Sequence, residues 1–225
     1  MTLWYRLSKI YVGQTQVRPK PWFTPWANTL AYLKLENDAN DSSWNSHNGT
    51  ASNITYTTLS TWKKVATFAG NSTIVLNSSL FSSWVFTCNI YVYWTWFGTS
   101  ELNVIMWNAN SDSQWYYSDH YWGTLRWCVN NTIIQNTGYV TDTWFLYTIT
   151  HDGSTIRMYK NWSLLTTVSY SWTTYTVRNF YLWYRAYGND RYWKWYMSEF
   201  ICENRVWSDA DISAYYNKTK WNYWL

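Results

Sequence analysis

Glycine is scarce in this chain. Its 225 residues include only 8 glycines and 3 prolines, alongside 21 tryptophans and 22 tyrosines. Ordinary proteins contain about 7% glycine, roughly twice the share found here. So little glycine and proline excludes collagen-like and low-complexity linker proteins, and the length suits one domain with a small appendage.

Other absences exclude whole classes of protein. No apolar run approaches the ~20 residues of a membrane span, and the first residues lack the apolar core of a signal peptide. We therefore expect no membrane span and no Sec-dependent export of the chain as written. The 17 basic residues exceed the 13 acidic ones but form no basic cluster, which argues against a nucleic-acid partner. Cys88, Cys128 and Cys202 give neither a disulfide framework nor zinc-site spacing, so we expect buried, reduced thiols.

The abundant residues are strand formers, and the stretch from Trp144 to Val168 shows their pattern most clearly. Apolar residues alternate there on either side of an Asp152-Gly153 turn, the period of a half-buried strand. This pattern predicts an all-β sandwich. The residues expected on its inner faces are Phe86, Ile90, Phe145, Tyr147, Ile149, Ile156, Met158, Leu182 and Phe200.

The chain divides into three predicted parts. Residues 1–21 are expected to form an N-terminal hairpin and a proline-containing linker, residues 27–218 the β-sandwich, and residues 219–225 a C-terminal tail. Within the sandwich, segments 64–68 and 72–76 are expected to form a hairpin around Gly70. One helix is predicted over residues 209–216, with Ser208 as its N-cap.

Three motifs occur in an order that resembles one family. Residues 151–161, HDGSTIRMYKN, follow Trp144 and are similar to a signature strand pair that ends in an Asn-Gly turn. Residues 196–212, YMSEFICENRVWSDADI, are similar to the closing strand and short helix, and residues 31–45, AYLKLENDANDSSWN, to the opening strand and polar loop. Together these motifs resemble the bacterial laminin-G-like domains of the concanavalin A-like lectin/glucanase superfamily. The resemblance implies a two-sheet antiparallel jelly-roll sandwich.

The resemblance also implies a recognition module and no enzyme. Glycoside hydrolases of this fold carry the strand motif E-x-D-x-x-E, which is absent. Glu199 and Glu203 are spaced to share one strand face, but Glu199 falls at a structural position of the family. Glycan binding requires exposed aromatic rings with fixed polar groups, although such aromatics can equally be core or cross-strand pairs. The ligand contacts we predict are Tyr116, Tyr117, His120 and Tyr121 in the segment 108–123, and Arg185 and Asp190 in a second loop.

A calcium ion is the one cofactor that the resemblance implies. Relatives often hold a structural Ca²⁺ between the opening polar loop and the closing strand, and Ca²⁺ takes about six to eight oxygen ligands. Carried over to this sequence, the ligands are Asp41, Asn45 and Glu199. A solvated Asn/Asp loop is the alternative. If the three residues converge, added Ca²⁺ should raise the melting temperature.

Tryptophan stands where the family has glycine. Trp44, Trp162, Trp183 and Trp195 fall where the resemblance implies a tight turn or a close backbone approach, and Trp62 is similar. The codon UGA specifies tryptophan in some genetic codes and glycine in those of certain uncultured bacteria and their phages. We therefore predict that many of these residues are glycines in the natural protein; the alternative is a genuinely Trp-rich binding protein. Most of these tryptophans should then be exposed or lie at turns with positive φ.

Two functions remain after these exclusions. The leader KIYVGQTQVRP, residues 9–19, resembles leaders of phage tail and virion-surface proteins. The first hypothesis is a carbohydrate-binding or adhesive module, displayed on a virion or cell surface, that binds a glycan or cell-surface polysaccharide. The second is a structural virion component without glycan binding. In both, the N-terminal arm could bind the virion or a second copy of the chain.

Overall fold

The computed structural model describes residues 10–12, 15–17, 23–76, 80, 85–94, 103–109, 115–121, 124–129, 132–136, 142–169, 179–182 and 196–225. Within these ranges the chain forms strands, one α-helix and one 3₁₀ helix. In chain order they are β1 (Ile10–Val12), β2 (Thr15–Val17), β3 (Thr29–Leu33), β4 (Gly49–Thr58), β5 (Lys64–Leu76), β6 (Val85–Trp94), β7 (Asn103–Ala109), β8 (Trp115–Tyr121), β9 (Thr124–Val129), β10 (Thr132–Asn136), β11 (Thr143–Asp152), β12 (Thr155–Lys160), β13 (Ser163–Ser169), β14 (Phe180–Leu182), β15 (Tyr196–Glu203), α1 (Asp209–Thr219) and the 3₁₀ helix Lys220–Tyr223.

The strands pair antiparallel throughout. β1 and β2 form the predicted N-terminal hairpin. The other strands join in one hydrogen-bonded path, β10-β9-β8-β7-β14-β5-β15-β6-β11-β12-β13, with β3 beside β15 and β4 beside β5. The two end strands of this path, β10 and β13, are in contact, so the path folds back into two facing layers. The predicted all-β sandwich is confirmed.

An apolar core lies between the two layers, and we call it the inner core. Alternate residues of the long strands fill it, such as Phe86, Ile90 and Val92 of β6 and Phe145, Tyr147 and Ile149 of β11. All nine residues predicted for the inner faces are buried, none more than 1% exposed. The period of two was therefore a sufficient guide to this core.

The opposite face of β6, β11 and β15 is also covered, by helix α1 and the 3₁₀ helix. We call this second cluster the helix-side layer. The strands contribute Tyr91, Leu146 and Ile201 to this layer, and the helices contribute Tyr215 and Tyr223. The layer is largely aromatic, and its rings contact one another: those of Tyr91 and Tyr223 stack with their centroids 3.8 Å apart.

Helix α1 begins where the sequence predicted. Ser208 Oγ accepts a hydrogen bond from the backbone N–H of Asp211, and the Asp211 carboxylate accepts one from the backbone N–H of Ser208, which completes a capping box. Acidic Asp209 and Asp211 in the first turn also favour the positive end of the helix dipole. No helix in the described part of the chain is long and apolar enough to cross a membrane.

One local prediction needs correction. Residues 64–76 form the single strand β5 instead of a hairpin, because both halves pair with β4, a strand that the sequence did not predict. The pairing shifts register between Ser52 and Ile54 of β4, opposite residues 69–72 of β5. Near the C-terminus, Tyr223 is buried and donates a hydrogen bond of 2.9 Å to Ser198 Oγ.

Candidate functional site

A cavity of about 470 Å³ opens between the segment before β3, the segment after β15 and helix α1. We call it the aromatic pocket. Its walls combine aromatic rings with a few charged groups. The lining residues are Phe23, Thr24, Pro25, Trp26, Arg205, Trp207, Asp211, Ala214, Tyr215 and Lys218. Its size and mixed lining are typical of small-ligand sites.

Trp26 is the exposed aromatic residue of this pocket, with 52% of its surface accessible. A tight turn fixes its backbone: Thr29 N–H donates to the Trp26 carbonyl at 2.9 Å, and Trp26 N–H donates to Thr29 Oγ1 at 3.1 Å. The ring is held at its nitrogen, because Trp26 Nε1 donates to Glu203 Oε1 at 2.5 Å. The indole is thus fixed in orientation while much of its surface stays open to solvent.

Glu203 is the buried acceptor that organises the pocket. Its carboxylate is inaccessible to solvent and accepts hydrogen bonds from Trp26 Nε1, Thr29 Oγ1, Trp207 Nε1 and Arg205 Nε at 2.5, 3.1, 2.6 and 2.8 Å. A buried carboxylate without such donors would be strongly destabilising. Glu203 therefore ties the segment before β3 to the segment after β15.

Arg205 supplies a cation between two indoles. Its guanidinium carbon lies 5.0 Å from the ring centroid of Trp26 and 5.5 Å from that of Trp207, both within cation–π range. The guanidinium also donates to Asp211 Oδ2 at 3.3 Å. Burial alone would raise the pKa of Asp211, but hydrogen bonds from Ser208 and the charge of Arg205 lower it overall. The pocket therefore holds a fixed cation beside an ionised carboxylate.

Beneath the pocket lies a second buried carboxylate, Glu199. It accepts from Tyr215 Oη at 2.7 Å and from Lys63 Nζ at 2.5 Å. Burial lowers the pKa of Lys63, but ion pairs with Glu199 and Glu36 outweigh this and raise it. Burial, and then the charge of Glu199, raises the pKa of Tyr215 well above its usual value. Hydrogen-bond donors occupy both carboxylates, those of Glu199 and of Glu203.

Lys218 at the rim differs from the other charged groups. It is exposed, and it makes no ion pair with any residue that the structure describes. Together with Asp211 and Arg205 it lines the pocket with hydrogen-bond donors and an acceptor. The arrangement can hold a ligand that has both an apolar face and several hydroxyl groups.

The ligand residues predicted from sequence belong to two segments of the chain. Residues 116, 117, 120 and 121 belong to strand β8, which pairs with both β7 and β9. The ligand contacts predicted for Tyr116, Tyr117, His120 and Tyr121 stay predictions. Arg185 and Asp190 lie outside the described residues, so their predicted roles stay predictions.

The structure does not bring the three predicted calcium ligands together. Leu33 of β3 pairs with Phe200 on one side and with Asp41 on the other, so β3 separates Asp41 from Glu199 by roughly 10 Å of backbone. Both Asp41 oxygens accept hydrogen bonds, Oδ1 from the backbone N–H groups of Tyr32 and Ser43 and Oδ2 from Ser43 Oγ and the backbone N–H of His47.

The remaining two calcium candidates are also engaged elsewhere. Asn45 Nδ2 donates to the carbonyls of Thr29 and Leu30, and the Glu199 oxygens contact Lys63 and Tyr215. Among the described residues, no group of three or more His, Cys, Asp or Glu side chains could hold a metal ion. The residues present therefore fit a hydrogen-bonded loop better than a Ca²⁺ site, and calcium binding stays a prediction to be tested by the melting temperature.

Several tryptophans behave as predicted for glycine positions. Trp44 and Trp162 are 78% and 56% exposed, as predicted, and Trp62, which looks similar in sequence, is 67% exposed. Trp183 and Trp195 lie outside the described residues. In the turn between β12 and β13 the positive φ, 59°, belongs to Asn161, and Trp162 does not share it.

Sequence reasoning missed the aromatic pocket because its parts are distant in the chain. Trp26 and Glu203 are separated by 177 positions, yet share a hydrogen bond. Arg205 and Trp207 were quoted only as part of the closing motif. One signal was available: a Trp at each end of the sandwich, with a Glu and an Arg close to the second one.

The comparisons with known proteins bear on the fold. No family model matches the chain, and no curated protein matches its sequence. Domain 4 of AbnA, a GH43 extracellular arabinanase from Geobacillus stearothermophilus solved in complex with arabinotriose, matches with a TM-score of 0.68 at 16% identity, covering 84% of this chain and 98% of that one. The botulinum neurotoxin serotype D/C binding domain matches with a TM-score of 0.67 at 13% identity, covering 84% and 52%.

A third structure comes from botulinum neurotoxin type C, whose cell entry depends on interaction with two ganglioside molecules. It matches with a TM-score of 0.65 at 11% identity, covering 84% of this chain and 51% of that one. The chain thus spans about half the length of these neurotoxin chains. At such low identity the likenesses show the fold alone, and that fold is a β-sandwich.

Proposed function

We propose that this chain is a non-catalytic carbohydrate-recognition module that holds a short glycan in the aromatic pocket. The observation that carries this proposal is the fixed, half-open indole of Trp26, locked through Glu203 beside Arg205. An aromatic side chain fixed before binding loses little rotational freedom when a ligand stacks on it. A preorganised ring of this kind suits a hydroxyl-rich ligand, whose other contacts with the protein are individually weak.

The chemistry of the pocket matches a sugar better than a purely apolar ligand. A sugar ring presents C–H groups on its faces and hydroxyls around its edge. Trp26 can contact such a face, while Asp211 accepts and Lys218 and Arg205 donate hydrogen bonds to hydroxyls. Two cations, Arg205 and Lys218, and one carboxylate, Asp211, line the pocket, and the buried Glu203 adds a second carboxylate behind Arg205, so these charges balance and an uncharged ligand fits.

The structural neighbours support the same class of ligand. The AbnA domain was solved with arabinotriose, and the type C neurotoxin depends on gangliosides, which carry sugars. Among the described carboxylates, Glu199 and Glu203 both accept hydrogen bonds from buried donors, Tyr215 and Trp207, which supports a non-catalytic role for this pair. We expect no release of reducing sugar from any polysaccharide that the protein binds.

A glycan array followed by calorimetry tests the proposal, with arabinotriose as one defined probe. Ala214 is exposed and lines the pocket, so Ala214→Trp should fill the cavity without disturbing the Glu203 contacts. We expect this variant to bind its glycan at least tenfold more weakly. Trp26→Ala should weaken binding by a similar factor because it removes the stacking surface.

The matched control is Trp162→Ala, which removes an indole of similar exposure, 56% against 52% for Trp26, from outside the pocket. Its affinity should equal that of the parent. Unchanged binding by folded Ala214→Trp and Trp26→Ala would exclude the pocket as the site. A folded protein that binds nothing on the array would favour the alternative role, a structural virion component without glycan binding.

We further propose that the chain is a laminin-G-like domain displayed on a virion or cell surface. The order of the sequence motifs and the N-terminal hairpin β1–β2 support this assignment. The hairpin would serve as the attachment arm, to the virion or to a second copy of the chain. Deleting residues 1–21 should abolish attachment while leaving glycan binding intact; loss of both together would contradict this division of roles.

A further inference from the structure

Four bulky side chains occupy left-handed backbone conformations, which favour glycine. Among the described residues with positive φ are Leu35, Trp62, Glu199 and Trp224, with φ of 56°, 68°, 51° and 60°. The others, such as Asn53 and Asp142, carry short polar side chains that tolerate this region. A bulky residue persists there only where its surroundings hold it.

Burial separates these four residues into two pairs. Leu35 and Glu199 are at most 1% exposed, so packing and the Lys63 ion pair hold them in place. Trp62 and Trp224 are 67% and 63% exposed. Their rings gain little from burial, so packing does not explain why their backbones are left-handed. Hydrogen bonds of the local backbone explain it.

Trp62 lies in the tight connection between β4 and β5. Its N–H donates to the Leu59 carbonyl at 2.9 Å, and Leu59 N–H donates to the Lys63 carbonyl at 2.8 Å. Because Leu59 and Lys63 are paired by this bond, the loop consists of residues 60–62. Its third residue, Trp62, is left-handed. This is the geometry of a turn followed by a G1 bulge, in which glycine is the usual third residue.

Trp224 ends the 3₁₀ helix in the same way that glycine ends many helices. With φ 60° and ψ 35°, its N–H and that of Leu225 both bond to the carbonyl of Lys220. Helices commonly end on one left-handed residue with such bonds, and that residue is usually glycine. The Trp224 ring keeps one polar contact, from Nε1 to Ser60 Oγ at 3.1 Å.

We propose that positions 62 and 224 are glycine positions, and that the natural protein carries glycine there. Their tryptophans would then come from UGA codons that the source organism decodes as glycine. Glycine at these positions does not depend on glycan binding, but it bears on where a glycan can bind. Trp62 and Trp224 lie close together, since Thr61 Oγ1 donates a hydrogen bond to the Asn222 carbonyl. With glycine at both positions, this surface would have no exposed rings on which a sugar could stack.

Thermal unfolding of single variants tests the proposal. Trp62→Gly and Trp62→Ala both remove the ring, but only glycine relieves the left-handed strain. We expect Trp62→Gly to melt about 2–4 °C above the parent and also above Trp62→Ala. Trp224→Gly should likewise melt above Trp224→Ala. If the glycine variants melt at or below the alanine variants, the proposal is wrong.

Trp221 provides the matched control, because it is 70% exposed and lies inside the same 3₁₀ helix. Trp221→Gly should lower the melting temperature, since glycine inside a helix loses more entropy on folding. Stabilisation by Trp221→Gly equal to that at position 62 would show that ring removal alone is responsible, and would overturn the inference. Peptide mass spectrometry of the natural protein decides directly: tryptophan at position 62 contradicts the proposal, and glycine supports it.

Discussion

The two faces of one sheet, formed by β6, β11 and β15, bury their side chains in different ways. The inner core is filled by aliphatic and phenyl groups such as Ile90, Phe145 and Phe200. The helix-side layer contains tyrosines and tryptophans, with the carboxylates of Glu199 and Glu203 buried beside them. One side is held mainly by non-directional packing, and the other depends on hydrogen bonds that must all form together.

This difference explains where the candidate site lies. The described residues of the inner core are almost completely inaccessible to solvent. The helix-side layer is built from separate segments around buried acceptors, and the aromatic pocket opens where two of these segments meet α1. The same hydrogen bonds that hold the layer together also position Trp26 and Arg205. We therefore expect substitutions on the helix side to change binding and stability together, and inner-core substitutions to change stability alone.

The largest effect should come from the inner core. Phe145→Ala removes a ring that is 1% exposed, and a deletion of this kind costs about 3–5 kcal/mol through lost burial and the cavity left behind. Urea denaturation measures the loss. Phe145→Leu should be much milder, because it keeps most of the volume. Equal losses from the two variants would indicate a loosely packed core, contrary to the burial observed.

On the helix side, Glu203→Gln should cost about 1–3 kcal/mol. The amide group would place N–H donors against Trp207 Nε1 and Arg205, or against Trp26 Nε1 and Thr29, all of which are donors themselves. Unlike Phe145→Ala, this variant should also weaken glycan binding, because Trp26 loses its anchor. Calorimetry on the folded variant separates the two effects; unchanged affinity would disconnect the layer from the pocket.

The two faces of the sheet also differ in how well the sequence predicts them. Alternation identified the inner-core residues of β6, β11 and β12, since strand period is a local property. Neither β4 nor the aromatic pocket was predicted, because both depend on distant partners: β4 on its long pairing with β5, and the pocket on Glu203 meeting Trp26. The left-handed backbone of Trp62 likewise follows from its hydrogen bonds and not from residue type.

A smaller effect is expected at the start of α1, which covers the helix-side layer. Ser208→Ala removes the hydroxyl that accepts from the Asp211 N–H and should cost about 1 kcal/mol. Ser208→Asp keeps an acceptor and should recover most of that loss. Because the capping box also positions Asp211, Ser208→Ala should weaken glycan binding slightly. A Ser208→Ala variant as stable as the parent would show that the cap contributes nothing.

The smallest effect concerns acid, and it arises in the turn between two inner-core strands, β11 and β12. Burial would raise the pKa of Asp152, but hydrogen bonds from Ser154 and Thr155 and the Arg157 contact lower it to about 2, from 3.8. The folded state therefore binds this proton less readily than the unfolded state. The resulting stability is present above pH 3.8 and is lost as the pH falls towards 2.

Because Asp152 is partly exposed, solvent screening keeps this contribution small. Asp152→Asn should melt below the parent at pH 7, and the two curves should converge as the pH approaches 2. Added salt at pH 7 should narrow the gap only in part, because screening weakens the Arg157 ion pair and spares the backbone hydrogen bonds. A difference in melting temperature that stays constant from pH 7 to pH 2 would show that the charge of Asp152 contributes nothing and that the turn is held by its acceptor geometry alone.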